Sequence, residues 1–466
     1  MSLRMILTPN RCGTPMPNNQ QWTQRDLAVV WHPCTQMKDH EWLPLIPLVR
    51  GKGPWLFDAD GNRYLDAISS WWVNLFGHCH PKISQAVENQ LGLLEHILLA
   101  GATHIPAIEL AERLLARAPA GLTRCFYVDN GSAAVEAALK MSFHYWKNQG
   151  YPHKDHFVSL QNSYHGETLG ALSVGGVGLY RDIYKPLFHA GFSVPVADLY
   201  ERQDDETIES YTERRFTVLE HLLTEKANQI AAVLVEPLVQ CAGGMRMYPP
   251  LYLSRLRESC DRHGVHLIAD ECAVGMGRTG TFFACEQAQI SPDILILAKG
   301  LTGGYLPLSA LLVRESLYQA FYDDYRSHKA FLHSHSYTGN PLACRAALAT
   351  LDLFDQEPVL EQNQKLHERL VQGLAPLQGH PHVADVRITG TIAAVELAQD
   401  GPRKISYPAG ERRGLEVFRY GLQHEAWLRP LGNVVYLMPP YVINAQETET
   451  LCATVCAGID FATRSG

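Results

Sequence analysis

Residues 265–299 read VHLIADECAVGMGRTGTFFACEQAQISPDILILAK, in which two continuous apolar runs each end on a charged side chain, Asp270 and Lys299. Short runs without polar alternation mark strands buried on both faces, as in a parallel sheet covered by helices. Working outward, similar runs stand at RCFYV (124–128), HFVSL (156–160), AAVLVEP (231–237) and LSALLV (308–313), separated by helical patterns. This alternation, from about Thr123 to Arg314, predicts an α/β domain with a mostly parallel sheet. Ligands bind beyond the carboxyl ends of such strands, so Asp270 and Lys299 are expected to face one crevice.

Beyond this block a long helical stretch runs from about Pro341 through QKLHERLVQGL. It is followed by VADVRITGTIAAVEL, a helix near Glu411–His424, and VVYLMPPYVI, which together read as a smaller α+β domain. Upstream, GPWLFDADGNRYLDA places Asp60-Gly61 between two apolar runs, a hairpin signal. The expected division is an N-terminal segment (1–75) that joins the small domain, a large domain (76–345) and a C-terminal small domain (346–466).

With 466 residues and 46% hydrophobic composition, the chain can build a large core and exceeds one simple domain. Its net charge is -8 and basic residues are not clustered, which argues against nucleic acid or anionic lipid as partners and for small-molecule substrates. The eleven cysteines include no Cys-x-x-Cys pair, so neither a disulfide framework nor a cysteine zinc site is expected, and a reducing cytoplasm fits. The first residues, MSLRMILTPNRCGTPMPNNQQ, lack the apolar core of a secretory signal and are expected to be loosely ordered. No later apolar run reaches the length of a membrane span, so the protein is expected to be soluble.

A lysine amine condenses with an aldehyde, and a buried carboxylate keeps a pyridine nitrogen protonated so that the ring draws electrons from a substrate Cα. Lys299 and Asp270 are therefore the residue types that pyridoxal phosphate requires. VDNGSAAVEAALKM leads a strand through Asn130-Gly131-Ser132 into a helix, whose free amides suit a phosphate, although Asn-Gly-Ser is also an ordinary helix cap. In NSYHGET, Tyr164 can lie against a planar ring or serve as a turn tyrosine. Residues 275–280, GMGRTG, match the dinucleotide fingerprint, but TFFACEQ follows in place of a long helix, so a nicotinamide site is rejected. His78-Cys79-His80 and His333-Ser334-His335 have no third cluster to complete a ligand set, and no metal is expected.

From about Trp31 to Tyr441 the chain resembles the class III, fold type I aminotransferases. The resemblance is carried by NGSAAVEAALK, NSYHGET, EPLVQCAGGM, IADECAVGMGRTG, LAKGLTGGYLPLSA and HSHSYTGNPLA. WHPCTQM, SSWWVNLFGH, GGMRMY and LRPLGNVVYLMPPY resemble the subgroup that aminates 8-amino-7-oxononanoate in biotin biosynthesis. The resemblance implies a large sheet domain with a smaller α+β domain, a homodimer with its site at the interface, and pyridoxal phosphate held by Lys299 as Schiff-base lysine and proton shuttle. It further implies Asp270 on the ring nitrogen, Gly131 and Ser132 on the phosphate, and Tyr164 near the ring. His335 and Ser336 would reach the phosphate of the neighbouring subunit's cofactor. Trp71, Trp72 and Ser334 fall at substrate positions, and Arg429 at that of the substrate carboxylate. Tyr436 resembles the tyrosine of members that use S-adenosylmethionine as donor. Cys34 stands where the family often has tyrosine, Glu167 where some members have aspartate, and Ser334 and Ser336 where glycine and threonine are usual. A lysine-using relative, another ω-aminotransferase and a non-catalytic binding protein of the same fold are the alternatives.

Overall fold

In a computed structural model, which describes residues 17–189 and 191–464, the apolar runs form one seven-stranded sheet. The order across it is Leu122–Val128, Ser309–Arg314, Ile294–Leu297, His266–Asp270, Ile230–Val235, His156–Leu160 and Phe192–Val194. Ser309–Arg314 runs antiparallel to both neighbours, and every other adjacent pair is parallel. The edge strand Phe192–Val194 is too short to show a pattern in the sequence. Residues 1–16, expected to be loosely ordered, lie outside the described residues.

Side chains of a strand alternate between faces, and here each face has its own core. Val233, Val235, Leu267, Ala269, Leu295 and Leu297 enter one apolar cluster. Their neighbours Ala232, Leu234, Ile268, Ile294 and Ile296 enter the other. This double burial explains why the runs lack polar residues, since each enclosed Val, Leu or Ile contributes about 1.5–3 kcal/mol at most. Helix Gly131–Asn148 closes the second cluster with Ala133, Ala134, Ala137 and Ala138, whose small side chains let it lie close to the sheet.

The helical stretch after Pro341 is two helices, Pro341–Gln356 and Val359–Leu374. The break falls at Glu357-Pro358, where the proline ring excludes helical geometry from the residue before it. Further on, Val383–Thr389, Ile392–Asp400 and Val434–Leu437 form an antiparallel sheet. Near the N-terminus, Trp55–Asp58 and Arg63–Asp66 form a hairpin whose turn contains Gly61 at φ 90°. Arg63–Asp66 then pairs in parallel with Ala426–Trp427, joining the two ends of the chain. Among the described residues no helix is long and apolar enough to cross a membrane.

Candidate active site

The carboxyl ends of the parallel strands converge on one crevice, lined by Trp72, Tyr164, Glu236, Asp270, Cys272 and Lys299. Asp270 ends its strand and pairs in register with Ile296, which places it beside the strand that leads to Lys299. A wider hollow walled by Tyr151, Lys154, His156 and Gln229 contains none of these groups. At that hollow the buried Lys154 Nζ donates to the carbonyls of Ala227, Ile230 and Gly264 at 2.7, 3.1 and 2.8 Å, a structural task.

Asp270 is buried, which by itself disfavours its charge, yet its carboxyl lies below the usual range. The cause is the hydrogen bond and charge of His165, whose Nδ1 is 2.8 Å from Oδ2, with the Cys272 amide on Oδ1 at 3.1 Å. Asp270 is thus a carboxylate at neutral pH. Glu236, one strand over, is pushed up to about 7 by burial. Its oxygens accept from the amides of Tyr164 at 2.9 Å and Cys241 at 3.1 Å, so it anchors the Tyr164 turn. His165 lies inside the NSYHGET motif and Glu236 at the head of EPLVQC, but residue type alone does not say that they act on Asp270 and Tyr164.

Lys299 is half-buried and opens a short 3-10 turn with φ 48°. A non-glycine residue in this left-handed region costs ~1–2 kcal/mol, a strain typical of functional positions. The turn projects Nζ to 5.3 Å from the centre of the Trp72 ring. At the start of helix Gly131–Asn148 the Asn130 side chain caps Ala133 N at 3.0 Å, and among the described residues nothing accepts from the amides of Gly131 and Ser132. The Ser132 hydroxyl receives the Thr168 amide at 3.1 Å. Gly131 suits this position, because a Cβ would lie 3.0 Å from Cys272 Sγ and would press on that side chain.

Trp71 and Trp72 sit on a left-handed turn in which Ser69, Ser70, Trp71 and Trp72 have φ of 50, 48, 79 and 72°. Trp72 Nε1 donates to Tyr436 OH at 3.1 Å, and the two rings meet edge to face. Burial raises the Tyr436 phenol, which stays protonated. The Arg429 guanidinium lies 4.2 Å over the Trp71 ring. Tyr164 OH donates to Glu167 at 3.0 Å, and its ring packs edge to face on Tyr180, a residue the sequence offers no reason to select. Cys34 is exposed at φ 51° and lies beside Tyr180, whose phenol is pushed up to about 12 by burial and by that thiol.

Lys299, Asp270, Tyr164 and Trp72 are therefore brought together. Arg429, Trp71 and Tyr436 adjoin them through Trp72, and Gly131 through Cys272. Ser334 and Ser336 are exposed, His335 rests on Asp129 at 3.3 Å, and none of the three lines the crevice of its own chain. The GMGRTG segment is a closed turn whose buried Arg278 donates to the carbonyls of Pro439 at 2.7 Å and Asn74 at 3.2 Å.

Residues 36–457 match the family model described as Aminotransferase class-III. The chain is 46% identical to the adenosylmethionine-8-amino-7-oxononanoate aminotransferase of Helicobacter pylori, over 93% of this chain and 97% of that protein. The crystal structure of the enzyme of the same name from Methanocaldococcus jannaschii superposes with a TM-score of 0.90 at 37% identity, covering 95% of this chain and 99% of that one. An omega transaminase from Pseudomonas jessenii, solved in complex with PMP, superposes with a TM-score of 0.90 at 29% identity, covering 95% and 98%.

Proposed function

We propose, for a chain that belongs to the class-III aminotransferase family, that its reaction moves an amino group from S-adenosylmethionine to 8-amino-7-oxononanoate, giving 7,8-diaminononanoate for biotin. The protein is a pyridoxal-phosphate-dependent aminotransferase. The observation that carries the mechanism is the pair formed by Lys299 and the buried, ionised Asp270 at the ends of adjacent strands.

The crevice suits the cofactor. It offers a primary amine, a carboxylate held anionic, and a helix N-terminus with two open amides and no Cβ at Gly131. Pyridoxal phosphate, when bound, supplies an electron sink for the pair of electrons left when a substrate Cα loses its proton. Asp270 would hold the proton on the ring nitrogen, because its charge is stabilised by His165 and opposes a cation well in a buried site. Lys299 Nζ takes and returns the Cα proton, and Trp72 limits where its side chain can lie. The amides of Gly131 and Ser132 would take the phosphate, and Tyr164, fixed by Glu236 and Glu167, would be available to the ring.

Trp71 and Trp72 wall the substrate pocket, and Arg429 pairs with the carboxylate of the keto acid through its planar fork. Tyr436 faces the donor, and Cys34 stands at its outer edge with a smaller surface than a ring would give. The reading extends to a soluble cytoplasmic homodimer in which Ser334, His335 and Ser336 act on the neighbouring subunit's site. It also extends to the division at residues 75 and 345, in which the pairing of Arg63–Asp66 with Ala426–Trp427 supports the attachment of the N-terminal segment to the small domain. A donor panel with 8-amino-7-oxononanoate as acceptor tests it. S-adenosylmethionine is expected to support turnover, and turnover with lysine alone would reassign the donor.

A further inference from the structure

Asp66 ends the strand Arg63–Asp66, and its side chain is enclosed. Its Oδ1 accepts from the amides of Ser70 at 2.9 Å and Ile68 at 3.3 Å. Its Oδ2 accepts from Ser70 Oγ at 2.7 Å and faces His78 Nε2 at 3.0 Å. Asn74 Nδ2 donates to His78 Nδ1 at 3.1 Å, which leaves the ring proton on Nε2, where it points at Asp66. Gly53 and His78 exchange backbone hydrogen bonds, and Gly77 permits that approach because a Cβ there would lie 2.8 Å from Gly53. Two of these bonds, from the amide and the hydroxyl of Ser70, fall within Ser69–Trp72, the left-handed turn that carries both tryptophans, and the others hold the segments on either side of it. L-residues do not hold such a turn by preference, so external bonds must hold it. Ser69 Oγ adds one more, to the Met438 carbonyl at 2.8 Å, just beyond Tyr436.

We propose that Asp66 is a positioning residue for substrate binding: it locks Ser69–Trp72 in the left-handed turn and so fixes Trp71 under Arg429 and Trp72 against Tyr436 and Lys299. The proposal rests on the reading of the two tryptophans as walls of the substrate pocket. None of the hydrogen bonds of Asp66 goes to an indole. It acts through the backbone and hydroxyl of Ser70, so its loss leaves Lys299 and Asp270 in place and releases the wall above them.

The test uses the cofactor-loaded enzyme and four variants, Asp66→Asn, Ser70→Gly, Trp71→Ala and Trp72→Ala. Ser70→Gly is the discriminating variant, because glycine adopts φ 48° without strain while removing the hydroxyl bond to Asp66. For Asp66→Asn and Ser70→Gly, KM for both substrates is expected to rise by about tenfold or more, with a smaller fall in kcat and, for Ser70→Gly, an unchanged Tm. In enzyme carrying 5-fluorotryptophan, the fluorine resonances of Trp71 and Trp72, assigned by substitution, are expected to broaden or shift in the same two variants. If the tryptophan variants raise KM while Ser70→Gly and Asp66→Asn leave KM and both resonances unchanged, the proposal alone is overturned. Normal KM values in Trp71→Ala and Trp72→Ala would overturn the pocket reading and the proposal with it.

Discussion

The floor of the crevice and its wall are built by different means. The floor, Asp270 and Lys299, comes from neighbouring strands of one sheet, rigid because both faces are packed. The wall joins Trp72 to Tyr436 across 364 residues of chain, on a turn of four left-handed residues. The floor is thus local and repetitive, which under the proposed function suits chemistry that every substrate needs. The wall is strained and long-range, which under the proposed function suits a surface that selects substrates. Loss of a floor residue should therefore remove the reaction, and loss of a wall residue should alter binding.

The largest expected effect is at Lys299. Lys299→Ala should lower turnover by more than about a thousandfold and abolish the visible absorbance of the loaded enzyme. Wild-type turnover in this variant would remove the floor from the comparison altogether. Asp270→Asn should follow, with a loss of about a hundredfold or more in single-turnover rates at saturating cofactor, because an amide cannot oppose the charge on the ring nitrogen. Unchanged single-turnover rates would show that the carboxylate is structural.

At the wall, Arg429→Ala should raise the acceptor KM by roughly ten- to a hundredfold, from the loss of about 1.5–3 kcal/mol of charged hydrogen bonding. The donor KM should change less, and equal changes for donor and acceptor would blur the distinction drawn here. The smallest effect concerns Glu236. Its carboxyl is raised from 4.5 to about 7, so its contribution to stability is complete below the lower value and is lost as pH rises through the higher one. Relative to the parent, Glu236→Gln should gain roughly a few degrees in Tm between about pH 5 and pH 8. A Tm difference that does not vary with pH would mean that burial does not hold this proton.

Much of the floor was legible because a strand buried on both faces must be apolar throughout, and a charged residue at its end then stands out. Asp270 and Lys299 are such ends. The short strand Phe192–Val194 and the helix break at Glu357-Pro358 were less legible, the first for want of length, the second because the helical pattern resumes at once. His165 was visible in its motif without its task, since nothing in NSYHGET says that its Nδ1 meets Asp270. Tyr180 gave no signal, because its place beside Tyr164 and Cys34 depends on how a short helix packs against the Tyr164 turn.

Periodicity, run length and residue type by themselves determined the α/β sheet, the crevice at its strand ends and the lysine–carboxylate pair within it, because those properties repeat along the chain at fixed spacings. The ionisation of Asp270, the left-handed tryptophan turn, the closure of Trp72 on Tyr436 and the placing of Arg429 over Trp71 were decided only by the tertiary structure. Each depends on desolvation or on hydrogen bonds between segments far apart in sequence, and neither exists until the chain has folded.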